Sequence, residues 1–179
     1  MSQCPAEDMW KKDIVKRFGR IFKNGRVLEI GSAIANNSGW FPAKEYIGLD
    51  VADSGGVNVV SIAHEYKAPD GSFDAVCSFS ALEHDMYWEK TLRKMIRLIR
   101  SGGIMFFSCC RNWEEHGTKR TSPEQSLTTQ ISEEWANYYR NITPEDIEKT
   151  LKLDKIFSKY KLGFSQYHDG LTIFWGIKK

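Results

Sequence analysis

The chain has 179 residues, of which 41% are hydrophobic and 27% charged, and its formal net charge is +2. We expect one domain, 1–179, with a full core; no apolar run approaches the ~18 residues of a membrane span, and the polar N-terminus lacks the apolar core of a signal peptide. So mild a charge does not by itself indicate a nucleic-acid partner. The four cysteines lack metal-ligand spacing, so we expect a cytoplasmic protein in which they are reduced and mostly buried: Cys4, Cys77, Cys109 and Cys110.

The first predicted element is an N-terminal helix within residues 1–25. In "EDMWKKDIVKRFGRIF" (7–22) apolar residues recur at helical spacing. The other face carries six basic residues: Lys11, Lys12, Lys16, Arg17, Arg20 and Lys23. We expect that face to be solvated, and contact with nucleic acid is the alternative.

Five strands are predicted next, with a helix between the fourth and the fifth. The strand-like runs are 26–31, 45–50, 57–62, 72–82 and 104–110. They show little alternation, which is typical of strands buried on both faces of a parallel sheet. The intervening helix is predicted at 86–100, with Gly102-Gly103 as its C-cap.

The last third of the chain begins with a long polar segment, residues 111–142. Segments of this length without periodicity are usually functional or disordered, and we expect an inserted lid that binds substrate. Thr143-Pro144 then starts a helix to about Leu151. Two strand-like runs, 159–168 and 171–178, flank a hairpin turn at Asp169-Gly170. The pattern predicts a three-layer α/β sandwich with a Rossmann-like, mostly parallel seven-stranded sheet and an antiparallel last strand.

Two residues predict a ligand site at one edge of this sheet. Gly31 ends the first strand, and a glycine turn there lets the backbone approach a ligand closely. Asp50 ends the second strand, 21 residues beyond Glu29. An acid at about this distance commonly accepts hydrogen bonds from a ribose diol.

Four motifs in order resemble the motif series of class I methyltransferases that use S-adenosylmethionine. They are "VLEIGS", "YIGLD", "GSFDAVCSFSALEH" and "LIRSGGIMFFS", within residues 26–110. The fourth-strand motif, with Leu-Glu-His at its end, is the most specific. Dinucleotide dehydrogenases do not usually show it.

The resemblance implies S-adenosylmethionine as the cofactor and gives each matching residue an expected place around it. Glu29 and Gly31 would lie by its methionine part, and Asp50 would hold the ribose hydroxyls. The residues expected around the adenosine and on the pocket floor are Leu49, Val51, Ala63, His64, Ser80 and Ala81.

The turn after the first strand departs from the family pattern. Ala33 and Ala35 stand where glycines are usual, and Ile62 stands where an acid often binds the adenine amine. We expect polar residues of this turn to contact the amino-acid end of the cofactor: Ser32, Asn36, Asn37 and Ser38. Because Ile62 replaces the acid, the adenine contact would fall to backbone groups or to His64.

His84 is the first candidate for the chemistry, because it follows the fourth strand beside the expected methyl group. A neutral imidazole there can take a proton or contact the acceptor. Asp85 and Glu83 are expected to orient His84, bind the acceptor or cap the next helix. Methyl transfer needs alignment more than any fixed catalytic residue.

A metal site is a further hypothesis at this position. Some methyltransferases with Glu-x-x-Glu-His here bind a divalent metal, and Glu83, His84 and His116 would form such a site. Ser80 replaces the first Glu, and losing a carboxylate weakens the binding of a hard cation. We therefore expect no metal.

The polar segment supplies the candidate substrate-binding residues: His116, Lys119, Arg120, Tyr138, Tyr139 and Arg140. Its start lies at the carboxyl edge of the sheet, and Lys119 and Arg120 are suited to a carboxylate or phosphate. The alternative is a solvated loop anchored by Tyr138 or Tyr139.

The sequence thus predicts a methyltransferase (EC class 2.1.1) that acts on a small-molecule acceptor, with no membrane partner. Two alternatives stay open. A non-catalytic module that binds the cofactor or a partner is favoured by the altered turn. A nucleic-acid methyltransferase is favoured only by the basic helix, and the Asn-Pro-Pro-Tyr type of motif is absent after the fourth strand. The accepting atom and the oligomeric state stay open.

Overall fold

A computed structural model describes residues 5–32, 37–55, 57–166 and 170–179. Seven strands form one sheet: β1 (Arg26–Ile30), β2 (Glu45–Asp50), β3 (Val59–Val60), β4 (Phe73–Phe79), β5 (Ile99–Cys110), β6 (Phe157–Phe164) and β7 (Leu171–Lys178). In the described residues five α-helices accompany them: α1 (Pro5–Phe22), α2 (Trp88–Leu98), α3 (Glu133–Ala136), α4 (Pro144–Thr150) and α5 (Leu153–Ile156).

The strand order is β3-β2-β1-β4-β5-β7-β6. All neighbouring pairs from β3 to β5 are parallel, and β7 is antiparallel to both β5 and β6. The order reverses at β1, between β2 and β4, so the carboxyl ends of these strands form the crevice where ligands bind in open α/β sheets. The predicted fold is confirmed.

Side chains on the two faces of the sheet belong to separate cores. On one face, Trp10, Ile14 and Phe22 of α1 pack against Cys77 and Phe106. On the other face α2 and α4 cover a second core that includes Leu28, Val76, Leu92, Met95 and Ile147. Because successive residues of a strand point to opposite faces, the continuous apolar runs of β1 and β4 supply both cores.

The boundary between α2 and β5 differs from the prediction. The helix ends at Leu98, and Ile99 already takes extended backbone angles and pairs with Phe73. Gly102-Gly103 therefore lies inside β5 and does not cap the helix. A Cβ on Gly103 would come within 2.7 Å of the Asp74 carbonyl oxygen, so this glycine permits the irregular register between β4 and β5.

Two of the strands are shorter than the pattern predicts. Only Val59–Val60 of the run 57–62 is strand, and β4 stops at Phe79, before a 3₁₀ turn at Leu82–His84. Among the described residues between β1 and β2, the only helical element is a 3₁₀ turn at Asn37–Trp40.

The start of α4 and the terminal hairpin agree with the sequence. Thr143 forms a reciprocal capping box with Asp146, and Pro144 follows it. β6 and β7 form the predicted antiparallel pair, although Asp169 of the expected turn lies outside the described residues.

Cys77, Cys109 and Cys110 are free and buried, as expected. None of the helices in the described ranges is long and apolar enough to cross a bilayer.

Candidate active site

A cavity of about 1220 Å³ opens at the carboxyl ends of β1, β2 and β4. Seven residues expected around the cofactor line it: Gly31, Leu49, Asp50, Val51, Ala63, Ser80 and Ala81. The same cavity reaches His84, Asp85 and His116, so one continuous space joins the predicted cofactor region to the predicted chemistry.

Gly31 makes the turn above β1 possible. Its φ is +77°, and its amide donates to the Leu49 carbonyl at 2.8 Å. A Cβ at this position would lie 2.2 Å from the Ala81 Cβ, far inside van der Waals contact. The turn is therefore a cradle that a side chain would fill, which fits the close approach of a ligand predicted from the sequence.

Asp50 lies at the tip of β2, as the spacing predicts. Its Oδ1 accepts a hydrogen bond from the Val51 amide at 2.7 Å, and both residues line the cavity with Ala63. This places a carboxylate at the wall where the ribose is expected. The ribose contact itself stays a prediction.

Glu29 lies under the turn rather than in the cavity wall. It is fully buried and accepts hydrogen bonds from Asn37 Nδ2, at 2.6 Å, and from the Tyr46 hydroxyl. Burial raises the pKa of Glu29 to about 7, against the hydrogen bonds that lower it. Glu29 thus braces the segment that follows Gly31 through Asn37.

Four other residues expected near the cofactor do not line the cavity: Ser32, Asn37, Ser38 and His64. Ser32 is buried, and its hydroxyl has no hydrogen-bond partner in the described part of the chain. The His64 ring packs against Tyr87 at 4.9 Å between ring centroids. Asn36, also expected at the cofactor, lies outside the described residues.

Two charged side chains of α1 complete the cavity wall, and sequence reasoning missed both of them. Lys11 is 1% exposed and Glu7 is 7% exposed, and both line the cavity. The expectation that the whole basic face is solvated is therefore wrong at Lys11. The available signal is the helical spacing, because Glu7, Lys11, Ile14 and Phe18 form one stripe of the helix.

Ser80 links this wall to β4. Its φ is +43°, an unusual conformation for a residue other than glycine, and such residues cluster at functional sites. Its hydroxyl donates to Glu7 Oε1 at 2.9 Å, and the Ser108 hydroxyl of β5 donates to the same oxygen.

His84 is buried beneath the polar segment. Its ring lies 5.0 Å from that of His116 and 5.5 Å from that of Tyr139, and its Nδ1 has no partner among the described residues. Burial, with a smaller contribution from His116, lowers the pKa of His84 to about 3. The imidazole is therefore neutral at pH 7, but it is a weak proton acceptor because an efficient base has a pKa near the working pH.

Glu83 and Asp85, the two acids beside His84, accept hydrogen bonds from neighbouring groups of the protein. Asp85 accepts hydrogen bonds from the Tyr87 amide and the Thr91 hydroxyl, so it organises the start of α2. Glu83 accepts one from the Cys110 amide at 3.2 Å, and burial raises its pKa to about 7.

Glu83, His84 and His116 each offer one ligand atom, and these atoms lie within 4.8 Å of one another. The expectation that no metal binds stays a prediction.

Among the residues of the polar segment predicted to bind substrate, only His116 lines the cavity. The three basic residues pair locally and at the surface: Lys119 with Glu133, Arg120 with Glu115 and Arg140 with Asp146. Tyr138 packs against the core on the α2 side, and Tyr139 packs against His84 and His116.

Other residues of the segment form the cavity wall in their place: Trp113, Glu114, Glu115, Thr121, Ser122, Glu124, Gln125, Ser126, Leu127, Thr128 and Trp135. Trp135 is fixed by a 2.8 Å hydrogen bond from its Nε1 to the His84 carbonyl. The segment is therefore an ordered cover, built from 3₁₀ turns and α3.

Residues 6–147 match the family described as "Methyltransferase domain". The match covers well over half of the chain, so the chain belongs to this methyltransferase family, and its cofactor is S-adenosylmethionine. No curated protein matches the chain significantly.

Solved structures share the fold. Phosphoethanolamine N-methyltransferase 2 of Haemonchus contortus, in complex with S-adenosyl-L-methionine, superposes with a TM-score of 0.63 at 18% identity over 95% of this chain and 52% of that one. A Thermotoga maritima methyltransferase described as a possible histamine N-methyltransferase gives 0.57 at 18%, over 96% and 89%. The [4+2]-cyclase SpnF gives 0.62 at 15%, over 99% and 84%. The chain spans about half the length of the Haemonchus enzyme, and identities this low show the fold alone.

Proposed function

We propose that the chain transfers a methyl group from S-adenosylmethionine to a small-molecule acceptor held under the segment 111–142. The observation that carries the proposal is the single cavity that runs from Gly31 and Asp50 to His84 and Trp135. The cofactor supplies an activated methyl group on a sulfonium. We further propose that the protein works in the cytoplasm.

The chain's part in the reaction is alignment and enclosure. The Gly31 turn and Asp50 fix one reactant, and the cover formed by Trp113 and Trp135 lies over the region left for the other. Holding two reactants in line supplies much of the rate enhancement of a displacement, and a closed cover excludes water from it.

For His84 we propose a contact with the acceptor rather than the role of a base. A histidine with a pKa of about 3 stays neutral across the physiological range, so it offers a hydrogen bond without a charge. Asp85 then acts indirectly, by fixing the start of α2 beside His84. The hydrogen bonds and ring contacts of Trp135, Tyr139 and His116 support the same position of the imidazole.

A non-catalytic module that binds the cofactor or a partner is the second candidate. The weak basicity of His84 favours it, and SpnF, named as a [4+2]-cyclase, has the same fold. The nucleic-acid alternative keeps most of its basic face, because only Lys11 of the six basic residues is buried, in the cavity wall, and the other five are exposed.

The test is a screen of cell-extract metabolites with methyl-labelled S-adenosylmethionine. The enzyme should label a low-mass product, and Asp50→Ala should lower the rate at limiting cofactor by about 10- to 150-fold, since a charge-assisted hydrogen bond is worth about 1.5–3 kcal/mol. Asp53→Ala is the matched control, because Asp53 is an exposed acid three residues further on that does not line the cavity. Cofactor binding without label transfer to any acceptor would establish the binding module instead.

A further inference from the structure

The charged wall contributed by α1 has a specific geometry. Lys11 Nζ lies 3.6 Å from Glu7 Oε2, 3.5 Å from Asp8 Oδ1 and 3.0 Å from Asn37 Oδ1, and it stands 4.4 Å from the centre of the Phe79 ring. Buried lysines and glutamates are rare unless they are paired, so this pair marks a place where charge is needed.

The distances from the Lys11 ammonium to the two carboxylates, 3.6 Å to Glu7 and 3.5 Å to Asp8, are long for ion pairs. Charge-assisted N–H···O contacts are usually about 2.7–2.9 Å, so both carboxylates lie beyond close contact with Lys11. The ammonium carries three donors, and among the described residues its one contact of ordinary hydrogen-bond length is with Asn37. The neighbouring wall also contains the Ser78 hydroxyl, which is buried without a partner among the described residues.

We infer that Glu7 and Lys11 bind the amino-acid end of the cofactor, with Glu7 receiving its ammonium group and Lys11 its carboxylate. The inference rests on the proposed cofactor site. An α-amino acid carries its two opposite charges on one carbon, and the wall beside the Gly31 turn presents two opposite charges 3.6 Å apart. A zwitterion brings an ammonium for Glu7 and a carboxylate for Lys11, whereas an uncharged ligand adds no opposite charge to either residue.

The arrangement also explains how the altered turn keeps its function. Asn37, which follows the positions where the family has further glycines, connects Glu29 of β1 with Lys11 of α1. α1 therefore supplies contacts that a glycine-rich turn makes with its own backbone amides. Glu7 is fixed in turn by the Ser80 and Ser108 hydroxyls.

The test compares two ligands that differ at one end. S-adenosylhomocysteine carries the amino-acid end, whereas 5′-methylthioadenosine has the same adenosine and a thioether but lacks it. By calorimetry, Lys11→Met should weaken S-adenosylhomocysteine binding about 10- to 100-fold and leave 5′-methylthioadenosine binding unchanged. Lys16→Met, the same exchange at an exposed position of α1, should change neither affinity.

A second variant covers the case in which the single exchange unfolds the protein. Lys11→Met leaves Glu7 buried without its cation, whereas the double variant Glu7→Gln/Lys11→Met removes both buried charges and leaves only the partly exposed Asp8 without Lys11. The double variant should lose most of the preference for S-adenosylhomocysteine. Equal losses for both ligands, or no loss for either, would show that the pair only docks α1.

Failure of the proposed function is a separate result. If no acceptor is methylated but the difference between the two ligands is observed, the inference stands and the enzyme proposal falls. Wild-type protein that binds neither ligand would overturn both.

Discussion

Gly31→Ala tests the turn above β1 most directly. The new Cβ would sit 2.2 Å from the Ala81 Cβ, whereas carbons in contact are about 3.5–4.0 Å apart. Relieving that overlap moves the turn away from the end of β4, and overpacking of this kind costs about 1–3 kcal/mol. The left-handed φ of +77° adds about 1–2 kcal/mol for a residue with a Cβ.

The cost of the clash and the cost of the backbone conformation can be measured separately, because among the described residues the clash involves one partner atom, the Ala81 Cβ. In Gly31→Ala/Ala81→Gly the offending methyl is gone, and the next atom is the residue 81 Cα at 3.7 Å, an ordinary contact. The backbone cost remains. We therefore expect a single variant destabilised by roughly 2–5 kcal/mol and a double variant in which about 1–3 kcal/mol of that is recovered.

The assay is urea denaturation of wild type, both single variants and the double variant, with S-adenosylhomocysteine affinity measured beside it. Ala81→Gly alone measures the cost of a glycine at that position. Gly39→Ala is the matched control, because a Cβ on Gly39 would meet no other atom within 4 Å. Additive effects, with no recovery in the double variant, would refute the reasoning. So would unchanged ligand affinity in Gly31→Ala.

Two further predictions follow from the pKa values of the site. Glu29 has a folded pKa of about 7, above its ordinary value, so the native state holds the extra proton and the resulting stability is lost as the pH rises towards 7. Urea denaturation should therefore show that the free energy of unfolding of Glu29→Gln, relative to that of wild type, increases by up to about 1.4 kcal/mol per pH unit between pH 5 and 7. A difference that does not change with pH would contradict this prediction. For His84, with its pKa near 3, His84→Gln should lower methyl transfer without altering the pH–rate profile between pH 6 and 8; loss of a limb near pH 6.5 would make His84 the base after all.

Local patterns predicted the elements that local interactions determine. Thr143-Pro144 starts α4 because a capping box needs only residues 143–146. The spacing of Gly31 and Asp50 correctly predicted that both residues line one cavity, because parallel strands end at one edge of a sheet.

The sequence could not show which residues meet across long separations. Lys11 has the local pattern of a solvated basic face, and only the packing of α1 over β4 and β5 buries it. Lys119 and Arg120 have the composition of an anion site, but Glu133 and Glu115 pair with them. Gly102-Gly103 has the pattern of a helix cap, but both glycines lie in β5, where Gly103 closely approaches the Asp74 carbonyl of β4.

The wall that α1 contributes also sets an order of events during synthesis. Glu7 is translated well before one of the residues that fix it, because one of its two hydroxyl donors belongs to Ser108, 101 residues later. At about 5–20 residues per second, the ribosome needs roughly 5–20 s to supply that partner. Until then the stripe of Glu7, Lys11, Ile14 and Phe18 has no β5 to pack against. The nascent helix is therefore an exposed amphipathic segment, and the ligand pocket closes only when the middle of the sheet has emerged.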